Sequence, residues 1–111
     1  MESHLNYLRN YIKRFAFEAI FEGHRTLCVN RSGEAELIEM MCALGYELAY
    51  CYVDAVNNNR LVTIVMLGSR VVDVSQIAQK FGGGGHLGAA GFQFERTGNP
   101  FPPAASFLRN I

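Results

Sequence analysis

Four consecutive glycines, Gly82 to Gly85, constrain this chain more than any other feature. In ordered structure each costs about 0.5–1 kcal/mol relative to alanine, and a domain has only about 5–15 kcal/mol of net stability. A flexible connector would explain the glycines by composition alone. Their setting favours a shaped turn instead, because a capped helix precedes them, an apolar strand follows, and no serine-rich stretch lies alongside. Asp73 and Gln76 stand in a capping arrangement, and Val74, Ile77, Ala78 and Phe81 give the stripe of a helix that Gly82 ends. After the turn come small residues, Gly88 to Gly91, suited to close backbone approach, and then the alternating Phe92-Gln93-Phe94-Glu95.

Side-chain-free residues allow successive amide N–H groups to converge on an anion. This turn follows a helix C-terminus, whose dipole opposes an anion, so binding would require the amide nest and a donor side chain. His86 is the first candidate, with Arg70 and Lys80 in reserve. Gly83, Gly85 and Gly88 match G-x-G-x-x-G, but in the order helix, turn, strand, the reverse of a dinucleotide fold. His86 also stands where a Walker motif needs lysine. His4 and His24 lack such a setting and read as surface or turn residues. Asp73 reads as a helix cap, and Arg70 as a solvated charge.

The remaining sequence predicts a single α/β domain, a mixed sheet of about five strands with helices packed on it, within 111 residues. Leu5, Leu8, Ile12 and Phe15 predict an amphipathic helix over about Ser3 to Arg14. From Phe15 the period changes to two, which suits a strand better than a continued helix. Gly23 leads into a second strand, Arg25 to Asn30. Ser32, with Glu34 and Glu36 behind it, predicts the start of a helix that buries Leu37, Ile38, Met41 and Leu44 and stops at Gly45. Tyr46 to Val56 and Leu61 to Leu67 form a hairpin about Asn57 to Asn59. Its second arm is apolar on both faces, as for a strand covered on both sides. The proline-rich tail from Thr97 is expected to end in a short helix carrying Phe107, Leu108 and Ile111.

Cys28, Cys42 and Cys51 are odd in number and form no C-x-x-C pair, which argues for packing rather than disulfides or zinc, and for a reducing, cytoplasmic compartment. No secretory segment or bilayer-length apolar run is visible. The zero net charge divides unevenly. Ser32 to Asn59 holds five acids and no bases, while Arg60 to Arg96 holds four bases and two acids. That is too little charge for general duplex binding, and it suits a ligand with one or a few phosphates.

The stretch VDVSQIAQKFGGGGHLGAAGF, Val72 to Phe92, resembles the DHH-associated C-terminal domain of the DHH phosphoesterases, with a short helix, a G-G-G-H signature and A-A-G-F in order. Weaker resemblance runs upstream through Met66 to Ser69, Val29-Asn30 and Gly23-His24. It implies the DHH-associated fold, with residues 1–14 as an interdomain segment and 15–111 as the substrate-binding domain. In this family a separate N-terminal catalytic half holds manganese, and the substrates include short oligonucleotides, dinucleotides, nucleotide phosphates and polyphosphate. The resemblance implies that Gly83, Gly84, Gly85 and His86 grip a phosphate or terminal nucleotide, with Ser69 as a second contact. Gly68 stands where many oligoribonuclease-like members carry arginine, leaving Arg70 as its substitute.

The chain lacks a D-H-H string and has only Asp54 and Asp73 as aspartates, so it is expected to be a fragment that is not an enzyme alone and holds no metal or catalytic residue. Expected partners are short single-stranded nucleic acid or nucleotide phosphates and the catalytic half of the parent chain, with homodimerisation left open and no membrane. The alternatives are a non-catalytic nucleic-acid or tRNA-binding module, and an exopolyphosphatase-related protein.

Overall fold

The computed structural model describes residues 3–109. Helix α1 (His4–Phe15) is capped by Ser3, whose side chain accepts from the Asn6 N–H at 3.1 Å. The change of period after Phe15 marks a real boundary: β1 (Phe17–Phe21) is a strand with Ala19 and Phe21 buried. It returns through Glu22-Gly23 into β2 (His24–Val29). α2 (Ala35–Ala43) then crosses over to β3 (Leu48–Asn57), which pairs parallel with β2. β4 (Arg60–Gly68) forms the expected hairpin with β3, turned by Asn58 and Asn59 at φ 51° and 60°. α3 (Val74–Lys80), β5 (Gly84–Gly85), β6 (Ala89–Glu95) and β7 (Phe107–Arg109) complete the chain.

Among the described residues the sheet has seven strands in the order β5-β6-β4-β3-β2-β1-β7, and every neighbouring pair except β2-β3 is antiparallel. The class is α/β as expected, with two short edge strands beyond the expected five. One is the glycine turn itself. The other, β7, replaces the expected terminal helix at Phe107 and Leu108; Ile111 lies outside the described residues. The open edge of β1 supplies hydrogen bonds that a three-residue segment could not make alone, so pairing decides its conformation.

Two cores lie on opposite faces. Phe21, Tyr50, Val65, Leu67 and Phe92 pack against Val74 and Ala78 of α3 and against Phe101 from the tail. The Tyr50 hydroxyl donates to the Pro100 carbonyl at 2.6 Å, tying the tail to the sheet. On the other face, Leu27, Val29, Ala49 and Cys51 meet Leu8 and Ile12 of α1 and Leu37 and Met41 of α2. The three cysteines are free and buried, and burial pushes the Cys51 thiol up to about 12, so it remains a neutral packing group.

Three local expectations fail for tertiary reasons. α2 starts at Ala35 after Glu34, with no side-chain cap, and the preceding Gly33 lies against the sheet, where a Cβ would stand 2.7 Å from Met66 Cβ. Leu44 is 57% exposed, whereas Cys42 is buried in its place. β4 is not covered on both sides, since Ile64 and Met66 are 40% and 36% exposed where the α1/α2 layer stops short.

Candidate functional site

The start of β3, the end of β4 and the start of β6 meet at one end of the sheet, through Ala49 opposite Gly68 and Gly68 opposite Ala89. α3 leads to the same place. The Asp73 side chain accepts from the Ser75 N–H at 3.0 Å, so the expected cap is present, and Ser75 holds its carboxyl below the usual range. Gly82, at φ 86°, ends the helix.

The glycines that follow serve packing. A Cβ on Gly83 would lie 2.0 Å from the Gly91 oxygen, and one on Gly85 would lie 2.6 Å from Ala90 Cα. Gly84 has nothing within 4 Å of a Cβ and no positive φ. Gly91 supports the same contact from β6, since its own Cβ would stand 2.9 Å from the Val65 oxygen. The small run after the turn is therefore strand, and the expected close backbone approach is what it provides.

This arrangement overturns the expected amide nest. The N–H groups of Gly82 and Gly83 donate to Gln79 and Ala78 carbonyls at 3.1 and 2.8 Å. His86 and Ala89 exchange reciprocal bonds of 2.8 and 3.3 Å. Along an antiparallel ladder such pairs alternate, so Gly84 also bonds to Gly91, while Gly85 opposite Ala90 does not. The Gly85 N–H is thus directed to the open edge of the sheet. From Gly82 to His86 it is the one amide left without a backbone partner, because the other four are consumed in closing the turn.

Side chains complete this end. His86 is exposed, and its imidazole makes no hydrogen bond or ion pair to the described residues. Directly after it, Leu87 and Gly88 line a hollow of about 310 Å³ with Ser69, Arg70, Val72 and Asp73. The Ser69 hydroxyl donates to the Glu47 carbonyl at 2.6 Å and accepts from the Val71 and Val72 N–H groups at 3.1 and 2.9 Å. Its N–H also donates to the Gly88 carbonyl at 3.1 Å, so Ser69 braces the hollow. Arg70 is half exposed beside it and pairs with Glu39. Lys80, the other reserve, is paired with Glu22.

The sequence reading missed one polar pair. His24 Nδ1 lies 2.9 Å from Glu47 Oε2, and the imidazole and the Arg25 N–H hold the Glu47 carboxyl below its usual range. The two residues are 23 positions apart and meet only because β2 lies beside β3. Local spacing carries no signal of this. His4, likewise surface-exposed, pairs with Glu34 at 3.2 Å. Among the described residues no three His, Cys, Asp or Glu side chains gather as a metal site, so the donor set does not fit manganese. Among the described residues no helix is long and apolar enough to cross a membrane.

The fold and this end define an α/β domain with an open mixed sheet and a helix, glycine bend and strand closing one edge. No family model and no curated protein matches the chain. Among solved structures it is similar to the pGpG-specific phosphodiesterase PggH from Vibrio cholerae, with a TM-score of 0.56 and 12% identity over 80% of this chain and 32% of that one. The likeness is one of fold, and the chain spans about a third of the PggH chain.

Proposed function

We propose that this chain is the substrate-holding domain of a metal-dependent phosphoesterase acting on dinucleotides or other short nucleotide phosphates, and that the end of the sheet around His86 receives a phosphate. The carrying observation is the unpartnered, exposed imidazole of His86, beside an outward-facing Gly85 amide and directly before Leu87, which lines a hollow with the half-exposed Arg70. Gly83 and Gly85 shape the bend, and Ser69 holds the hollow open from behind. A neutral or protonated imidazole can donate to a phosphate oxygen, and a guanidinium released from Glu39 can engage a second one. Similarity in fold to part of a phosphodiesterase supports the same reading.

Under this proposal the domain positions the phosphate chain, and a second half of the parent supplies the metal that activates water. This domain's own groups bind and orient. A titration of the chain with a linear dinucleotide, followed by amide and imidazole resonances, tests the assignment. Shifts centred on Gly85, His86 and Leu87 are expected at millimolar ligand, and their absence there overturns it. Inorganic polyphosphate displacing the dinucleotide at equal phosphate concentration would move the substrate class to polyphosphate.

A further inference from the structure

Helix α1 presents a second surface that the glycine end does not use. Of the four apolar positions on its expected stripe, only Leu8 and Ile12 are buried, while Leu5 and Phe15 are 47% and 54% exposed. At about 100° per residue, His4, Tyr7, Tyr11 and Phe15 fall on one narrow arc beside the buried stripe. Their rings form a continuous row, with centroids 6.3 Å apart from His4 to Tyr7, 6.3 Å from Tyr7 to Tyr11 and 4.7 Å from Tyr11 to Phe15. Tyr7 is 50% exposed, so the row presents ring surface to solvent.

Cations line this row. The Arg31 guanidinium lies over Tyr7 and Tyr11 at 5.2 and 5.0 Å from the ring centroids, and Arg14 lies over Phe15 at 5.4 Å. Arg9 and Lys13 lie on the other side of α1, lining a hollow with Met40 and Leu44, and α1 contains no acid. The acids that face the row, Glu34 and Glu36, stand at its first turn, where they engage His4 and Arg31. The stretch from Tyr11 to Phe15 is therefore positively charged and aromatic together. Insertion into a membrane is not open to it, because the aliphatic side of the helix is already packed on α2 and the sheet.

Exposed rings interleaved with guanidinium groups match a ligand that carries flat π-faces and negative charge in alternation, which is the chemistry of an unpaired nucleic-acid strand. We propose that the α1 row is a stacking platform for the bases of single-stranded nucleic acid, with Arg14 and Arg31 tracking the phosphates. The site lies on the sheet face opposite α3 and stands or falls independently of the glycine end.

Fluorescence anisotropy with a labelled oligothymidylate about 12 nucleotides long tests it on the whole chain. Tyr7→Ala with Phe15→Ala is expected to weaken binding about five-fold or more. Tyr7→Phe, which keeps the ring, is expected to bind as the parent does, and Arg31→Gln to bind more weakly with a shallower salt dependence. An abasic strand of equal length is expected to bind far more weakly than the oligothymidylate. The Tyr7→Ala, Phe15→Ala double variant is expected to keep the dinucleotide-induced shifts at Gly85, His86 and Leu87, so failure of either site is visible separately. Absence of binding, equal binding by the Ala double variant, or equally tight binding of the abasic strand or of polyglutamate would overturn the proposal.

Discussion

The Asn58-Asn59 turn and the Gly82–Gly88 bend both reverse the chain between an ordered element and a strand, yet they place opposite demands on their residues. Asn58 and Asn59 hold φ 51° and 60° in open solvent, where a short polar side chain is tolerated and the left-handed pair matches the twist of β3 and β4. Gly83 and Gly85 are required for a different reason: the backbone of β6 occupies the space where a Cβ would be. Glu22 stands between these cases. It holds φ 50° in the β1-β2 turn, its N–H donates to the Ser106 carbonyl at 2.7 Å, and its carboxylate accepts from the Ser106 N–H at 2.7 Å and from Lys80. A tight reversal can thus be held by a solvent-exposed left-handed pair, by tertiary bonds or by the absence of a side chain, and only the last leaves no alternative residue.

Substitution separates these three mechanisms. Gly83→Ala should have the largest effect, a loss of about 2–3 kcal/mol in denaturant unfolding, because the Gly91 oxygen cannot retreat without breaking the β5-β6 ladder. Equal stability in this variant would show that the bend relaxes freely. Glu22→Ala should cost about 1.5–2 kcal/mol, since a charge-assisted acceptor for the tail is lost.

Glu22 also makes a pH signature. Burial raises its carboxyl, but the hydrogen bond from Lys80, the Ser106 N–H and the charges of Lys80 and His24 outweigh that, and the folded value lies below the usual 4.5. A depressed folded value stabilises the protein above the unfolded value, and that contribution is lost as pH falls through the folded one. Thermal unfolding should accordingly show the Glu22→Ala difference fully near pH 6 and shrinking below about pH 4.5; a difference independent of pH would assign Glu22 a purely steric role.

Smaller effects sharpen the contrast. Asn58→Ala should cost about 1 kcal/mol, the left-handed penalty for a residue without a local side-chain bond. Gly84→Ala should stay within about 0.5 kcal/mol of the parent, because its Cβ meets open space. His86→Ala should be similarly silent in unfolding while weakening dinucleotide binding about ten-fold, and a matching loss of stability would make His86 structural.

Much of the architecture could be read from short stretches of chain. The Asp73 cap, the α3 stripe and its stop at Gly82 involve residues within one or two turns of each other, and so does the period change at Phe15. The α2 start could not be read this way, because Ser32 is a good cap in isolation, yet the helix begins at Ala35 after the chain has passed close over Met66 at Gly33. At the site, Ser69, Arg70 and the glycine bend do converge on one end of the sheet. The His24 pairing with Glu47 and the sequestering of Arg70 and Lys80 by acids depend on partners between 23 and 58 residues away.

By itself the sequence determined where this chain must turn, the glycine bend included, and which segments carry helical or strand period, since these follow from the sterics and patterning of neighbouring residues. Tertiary structure decided what the bend offers to a ligand. An amide is available or consumed according to which carbonyl the fold brings opposite it, and β6 lies opposite all but one of the turn's strand amides that α3 has not already claimed. The same cause turns Phe107 to Arg109 into a strand, because an open edge of β1 waits there to be paired.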